Sequence, residues 1–228
     1  MVASATLWAS MATTLFNTMK TLHKLLATSV LVAAVPLAFA AQETRELPTF
    51  KSITSQGVYR LVVTSGQPQS VVVSGDEGML AKLSTKVVGD DLVISMPQET
   101  RIKWKEKLTI TIGVAQLAKF QMEGVGDTNL NQLSGDEFLL RYKGVGSLTA
   151  NGRVQHFVLN AEGVGSINAR ELEAKSVQAR LAGVGSAKVR ASESLDAKVE
   201  GVGSLTYYGN PKQVSKSSDG IGSVRAAD

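Results

Sequence analysis

The amino-acid sequence predicts an all-β protein whose C-terminal half is a right-handed parallel β-solenoid. Three observations favour this fold: a glycine motif recurs at nearly constant spacing, apolar and polar residues alternate around each motif, and no proline lies between Pro97 and Pro211. Repeated units of about 20 residues are typical of solenoids, in which each unit stacks on the one before. Proline would interrupt the hydrogen bonds between strands that such a stack needs.

The motif Gly-Val/Ile-Gly-Ser/Asp occurs six times and takes 12 of the 21 glycines. Successive motifs are separated by 20, 19, 20, 18 and 19 residues, which predicts about six coils of ~19 residues each. We expect the two glycines to permit a tight corner and the Val or Ile between them to point into the core as a spacer. The predicted corner glycines are Gly124 and Gly126, Gly144 and Gly146, Gly163 and Gly165, Gly183 and Gly185, Gly201 and Gly203, and Gly220 and Gly222.

Apolar residues at every second position predict a strand on each side of every corner, with one face buried. Around the third motif these residues are Phe157, Leu159 and Ala161 before the corner, and Ile167 and Ala169 after it. A serine follows the second glycine in most motifs, so a ladder of hydroxyl groups is expected along the stack. Its members are Ser147, Ser166, Ser186, Ser204 and Ser223, with Asp127 in the first coil.

The last repeat and the upstream residues differ from the central coils. Lys216 and Ser218 stand where earlier repeats have apolar residues, which is typical of a terminal capping coil. Because no linker separates the two halves, 41–228 is expected to be one domain, with a β-rich part over 46–115 and the repeat solenoid over 116–228. Within the upstream part, β-forming runs predict strands over 50–53, 58–64, 70–74, 82–88, 92–95 and 101–114, with 77–83 as an alternative short helical turn.

The first 40 residues have the pattern of an export signal. Lys20 and Lys24 precede an apolar run of 15 residues, Leu25–Phe39, which closes with Ala38-Phe39-Ala40, a site of the kind that signal peptidase accepts. This pattern predicts a signal peptide over 19–40, with 1–18 as an over-extended start. The run is shorter than the ~20 residues of a membrane-spanning helix. The mature chain is therefore predicted to be periplasmic or extracellular and not to span the membrane.

The composition excludes several classes of functional site. The chain has no cysteine and only two histidines, so disulfides, thiolate catalysis and cysteine-based metal sites are excluded, and no cofactor is expected. A net charge of +4 does not by itself indicate nucleic-acid binding. The glycine motifs precede strands and lack a following Lys-Ser/Thr, so they do not have the form of a phosphate-binding loop.

The side chains that carry chemistry in other proteins are few. His156 is the one histidine of the predicted mature chain and is expected to be a polar surface residue. Glu123, Glu162 and Glu200 share one column, but a Lys and an Ala interrupt it, which favours a solvated face over a catalytic carboxylate pair. We therefore predict that the protein is not an enzyme. The candidate ligand-binding residues are cations: a column of Arg141, Arg180 and Lys198, and a stripe of Arg101, Lys103, Lys105 and Lys107.

The order of the upstream strands and the repeats together resembles the head GIN domain family, whose members are named as auto-transporter adhesins. The resemblance rests on Phe50–Ile53, Gly57–Leu61 and Leu92–Ser95, and on Gly-x-Gly-Ser/Asp followed by a short apolar strand. It covers roughly residues 48–226. It implies an exported β-solenoid and supplies no catalytic residues to transfer.

These observations predict an exported, non-catalytic binding or structural module of the cell envelope. Its expected partner is an envelope or extracellular glycan or protein, and the cation column would suit a polymer of anionic sugars. Two alternatives remain open. One is a carbohydrate-active enzyme on a β-helix scaffold, and the other is a scaffold that forms homo-oligomers through exposed strand edges.

Overall fold

The computed structural model describes residues 41–97 and 108–227, and these residues form β-strands almost throughout, which confirms the predicted all-β class. The one helix among the described residues is a single short turn that follows the fourth strand. The elements are β1 Ala41–Thr44, β2 Ser52–Gln56, β3 Arg60–Ser65, β4 Ser70–Gly75, α1 Glu77–Leu80, β5 Ser84–Val88, β6 Asp91–Ser95, β7 Leu108–Val114, β8 Lys119–Met122, β9 Val125–Tyr142, β10 Val145–Ala161, β11 Val164–Leu181, β12 Val184–Tyr208 and β13 Gln213–Ala226.

The repeats form a parallel stack, which confirms the predicted β-solenoid. Strands β9 to β13 pair in chain order, and their register joins equivalent residues of successive repeats. Val145, for example, pairs with Val125 on one side and with Val164 on the other. Each long strand runs from one corner to the next and includes the bend between them. We call the strands that lead into the corners the pre-corner sheet; in the repeats it comprises 137–142, 156–161, 176–181, 194–199 and 213–218.

The core consists of apolar columns that run along the stack. Leu140, Leu159, Ala179 and Ala197 follow one another in a single column, and each is at most 1% exposed. In the next column, the rings of Phe138 and Phe157 stack with their centroids 6.0 Å apart. Because each side chain packs on its equivalents in the neighbouring coils, every added coil buries further apolar area.

The β-rich N-terminal part contributes coils to the same stack. Strands β2 and β3, joined through Gly57-Val58-Tyr59, have the strand–corner–strand form of a repeat. β2 pairs in parallel with β8, β3 pairs in parallel with β9, and Val58 pairs with Val125 at the corner. On their other side, β6 and β7 extend the two sheets further. The period of the glycine motif could not predict these coils because they do not follow one another at that spacing.

The two ends of the stack differ. At the N-terminal end, β4 and β5 pair antiparallel to β7 and β6, and α1 buries Met79 and Leu80. At the other end, β13 pairs with β12 and is exposed along most of its length. Lys216 takes the column position of Ala197 in this last strand and is exposed. A charge at an inward position of an edge strand opposes the addition of another strand.

Tyr59 occupies the place of the second glycine in the corner between β2 and β3, and its ring is buried. Its hydroxyl lies 2.9 Å from the hydroxyl of Ser55 and donates to the carbonyl of Ile94 at 3.4 Å. Burial raises the pKa of the Tyr59 hydroxyl from 10.0 to about 12. The side chain therefore links its own coil to the strand that extends the sheet beneath it.

We expect the free energy of unfolding to fall as the pH rises from 10 towards 12, because the raised pKa of Tyr59 keeps its proton bound in the folded state above pH 10, where the unfolded chain loses it. The full loss is about 2–3 kcal/mol. Denaturant unfolding at stepped pH measures it. In Tyr59→Phe the stability below pH 10 should be lower, since the bond to Ser55 is lost, but this part of the alkaline decline should disappear. An equally steep decline in the variant would contradict the assignment.

Candidate functional site

The corners bring the backbones of successive coils into close contact, and all twelve predicted glycines lie at them. A Cβ atom on Gly144 would lie 2.6 Å from the carbonyl oxygen of Gly124, which is too close for any residue but glycine. Gly146 in addition has a φ of +135°, a conformation that L-residues rarely adopt. In the first four motifs, the close backbone of the neighbouring coil requires glycine at the first position, and the second glycine has a positive φ.

The residue between the two glycines points into the solvent, so the predicted inward spacer is wrong. Its side chain is 46–52% exposed in the first five motifs and 81% exposed in the sixth. The physical reason is that the two-residue alternation of the strands continues through the corner: Tyr142, Gly144, Gly146 and Leu148 take the inward positions, so Val145 takes an outward one. The result is an exposed apolar row that we call the valine ridge: Val58, Val125, Val145, Val164, Val184, Val202 and Ile221.

The outward side of the pre-corner sheet is a polar surface on which the predicted cation column is formed. The strand register places Arg141, Asn160, Arg180 and Lys198 one after another on four neighbouring strands. Both arginines are exposed. Because parallel strands are ~4.8 Å apart, the two arginines are separated by roughly 10 Å along the stack. We call these four residues the arginine column.

Ion pairing distinguishes the members of the arginine column. Lys198 is paired with Glu200. Beside the column, Lys143, which directly follows β9, is paired at 3.4 Å with Glu162, which directly follows β10. In the part of the chain that the structure describes, Arg141 and Arg180 form neither an ion pair nor a hydrogen bond. Their guanidinium groups are thus available to an anionic ligand. A guanidinium presents parallel N–H donors that match the two oxygens of a carboxylate.

Beside this column, on the same side of the sheet, lies a shallow depression of about 590 Å³. The nitrogen Nδ1 of His156 lies 2.6 Å from the hydroxyl oxygen of Ser176 in its wall. Glu137 pairs in register with His156, but among the described residues no hydrogen bond joins them. The orienting carboxylate of a nucleophile–base–acid triad is therefore not in place. The polar lining residues are Glu137, His156, Ser176, Gln178, Ser194, Asp196, Gln213 and Ser215.

The other predicted sites give a mixed result. The serine ladder is formed in part, since Ser147 donates to Asp127 at 2.6 Å and Ser186 to Ser166 at 3.4 Å. The stripe of Arg101, Lys103, Lys105 and Lys107 lies outside the described residues.

Within 41–97 and 108–227, no three His, Asp or Glu side chains are grouped closely enough to hold a metal ion. The same ranges contain no helix of the length and hydropathy needed to cross a membrane.

A sequence comparison decides the family. The profile of the family described as "Putative auto-transporter adhesin, head GIN domain" matches residues 49–211. The chain belongs to the head GIN domain family. The matched range includes the arginine column and the first five corner motifs, so the resemblance that the repeats and upstream strands predicted is confirmed. No curated protein matches the sequence significantly.

Solved structures of similar fold agree with this assignment. A protein of Bacteroides fragilis described as a "putative adhesin" is 26% identical to this head GIN domain, with a TM-score of 0.69 over 84% of this chain and 99% of its own. A "putative adhesin" of Parabacteroides distasonis is 19% identical, with a TM-score of 0.50 over 82% of this chain and 96% of its own. The second similarity, at this identity, concerns the fold alone.

Proposed function

We propose that this head GIN domain is an exported, non-catalytic, adhesin-like module of the cell envelope that binds an acidic polysaccharide. The observation that carries the proposal is the pair of unpaired guanidinium groups, Arg141 and Arg180, held in register on a rigid, exposed sheet. The adhesin description of the family, and of the relative from Bacteroides fragilis, supports a binding role. The pattern of residues 19–40 supports export, although those residues lie outside the described part of the chain.

The spacing of the two arginines favours a polymer over a single anionic group. A ribbon-like polyuronate that turns by about half a turn per sugar presents a carboxylate to the same side at every second sugar. Arg141 and Arg180 face the same side on every second strand, with Asn160 between them as a neutral hydrogen-bonding group. The hydroxyl groups of the sugars would meet the polar side chains of the adjoining depression, among them Gln178 and Ser194. Parallel donors on each guanidinium would then orient the carboxylates.

Binding of the purified full-length chain to alginate, a polyuronate, tests this proposal by titration calorimetry. We expect Arg141→Ala/Arg180→Ala to weaken binding at least tenfold. Raising the salt from about 0.1 M to about 1 M, which shortens the screening length from ~10 Å to ~3 Å, should also weaken the wild-type interaction. The control is Lys188→Ala/Arg225→Ala, which removes two exposed cations from strands beyond the corner and should leave the affinity unchanged. Equal losses in the two variants, or no binding by the wild type, would contradict the proposal.

The carbohydrate-active enzyme is separated from a binding module by the release of sugar. Hydrolysis of a glycosidic bond needs a pair of carboxyl groups, but in the column of Glu123 and Glu162 the intervening Lys143 is paired with Glu162. We expect the wild type to release no reducing ends from alginate above the buffer rate. Release of sugar by the wild type that is lost in Glu123→Gln/Glu162→Gln would establish the enzyme.

A further inference from the structure

The valine ridge is an exposed apolar surface that the fold itself does not require. Its side chains stand outward at the corner, between glycines that carry no side chain, and the five from Val125 to Val202 are about half exposed. A Ser or Thr would satisfy the same backbone at a solvent-facing corner, yet each of the seven positions holds Val or Ile. At ~4.8 Å per coil the ridge extends over roughly 29 Å. It presents on the order of 500 Å² of apolar surface, near the upper end of the largest such patch on a monomeric protein.

Polar columns border the ridge on its two sides and restrict what can cover it. The column before the glycines holds Glu123, Lys143, Glu162, Ala182, Glu200 and Asp219, and is mainly acidic. The column after the glycines holds Arg60, Asp127, Ser147, Ser166, Ser186, Ser204 and Ser223. An anionic membrane surface would be repelled by the first column. The second column offers hydroxyl donors, which suit carboxylates.

We propose that the valine ridge is the interface of a homodimer in which two copies lie side by side and parallel, related by a two-fold axis along the ridge. In this arrangement each ridge residue meets its own copy, and the acidic column of one chain faces the serine column of the other. Glu162 and Glu200, for example, would face Ser166 and Ser204 of the second copy. The Arg60–Asp127 pair, 3.6 Å apart, supplies a cation where Glu123 of the second copy approaches.

The antiparallel alternative is disfavoured by charge. A two-fold axis perpendicular to the ridge would bring each acidic column against the acidic column of the other chain, and like charges at close range are destabilising. The parallel arrangement avoids this contact. The two ridges with their polar borders would bury on the order of 1,200 Å² in total, which reaches the range of stable, specific interfaces.

Disulfide cross-linking tests both the interface and its direction, because the natural chain has no cysteine. The variants are Val125→Cys, Val164→Cys and Val202→Cys, each made alone in the full-length chain, with Val88→Cys, a 67% exposed position on β5, as the control. After mild oxidation we expect covalent dimers from all three ridge variants, because each residue meets its own copy, and at least tenfold less dimer from the control.

Other outcomes would overturn the proposal. Cross-linking of Val164→Cys alone, together with mixed dimers of Val125→Cys and Val202→Cys, would indicate the antiparallel arrangement. Yields no higher than in the control would mean that the ridge does not meet a second copy. Sedimentation equilibrium gives an independent readout: Val145→Ser/Val164→Ser/Val184→Ser should keep the wild-type circular dichroism and shift the dimer towards monomer at least tenfold. A wild type that sediments as a monomer at every concentration would also contradict it.

Discussion

Replacing Gly146 by alanine is expected to destabilise the fold by roughly 3–4 kcal/mol, near the upper end of single-residue effects. Two causes act together at this corner. The backbone φ of +135° strains any residue with a Cβ atom, and that atom would overlap the carbonyl group of Gly126 in the neighbouring coil. Neither the strain nor the overlap is relieved by rotating a side chain, because the group approached is backbone. Denaturant unfolding followed by circular dichroism measures the loss.

Two other glycines separate these causes. Gly89 has a φ of +61° but open space around it, so Gly89→Ala should show the conformational strain alone, about 1 kcal/mol. Gly78 has neither a positive φ nor a close neighbour and lies in α1, so Gly78→Ala should be neutral or stabilising by up to about 1 kcal/mol. If Gly146→Ala costs no more than Gly89→Ala, the close approach of the coils is not what selects glycine at the corners.

Removing one complete coil is expected to leave a folded protein, whereas removing half a coil should abolish most of the stability. Deletion of 164–183 joins Gly163 to Val184, and Val184 occupies the register position of Val164, so the corner is rebuilt. Each coil contacts mainly its two neighbours, and the shortened stack can close on the same columns. Deletion of 164–173 instead removes the corner and leaves the next strand without an equivalent partner.

Far-UV circular dichroism and thermal melting distinguish the two deletions. The whole-coil variant should retain the β-sheet spectrum and a cooperative transition at a lower temperature. The half-coil variant should lose the transition. Two variants with the same spectrum and melting temperature would contradict a stack held in register by its corner motifs.

The sequence was sufficient for the architecture of the repeats because their period, their alternation and their glycines all depend on local geometry. The alternation of Phe157, Leu159 and Ala161 directly reports which face is buried. The coil of β2 and β3 was missed because its neighbours in the stack are distant in the chain and Tyr59 stands where the motif has glycine. The Gly57-Val58 pair, which aligns with Gly124-Val125, was the signal that could have revealed it.

The direction of the middle corner residue follows from the same alternation, which the expectation of an inward spacer did not take into account. Counting in twos from Tyr142 places Gly144, Gly146 and Leu148 on the inner side and Val145 on the outer side, as the structure has them. The arginine column likewise followed from the repeat register. The ion pairs of its members could not be predicted, because the contact between Lys198 and Glu200 depends on side-chain conformation within one strand.

The most direct test of the account exchanges the positions of two column residues and measures alginate binding by calorimetry. Asn160→Arg/Arg180→Asn keeps the composition and net charge of the chain but reduces the separation of the guanidinium groups from two strand spacings to one, from roughly 10 Å to ~4.8 Å. The circular dichroism of the exchanged variant should be unchanged. If recognition depends on two unpaired arginines in register with every second sugar, this variant should bind alginate at least tenfold more weakly than the wild type. Equal affinity of the two proteins would show that positive charge alone, and not its spacing on the solenoid, accounts for binding.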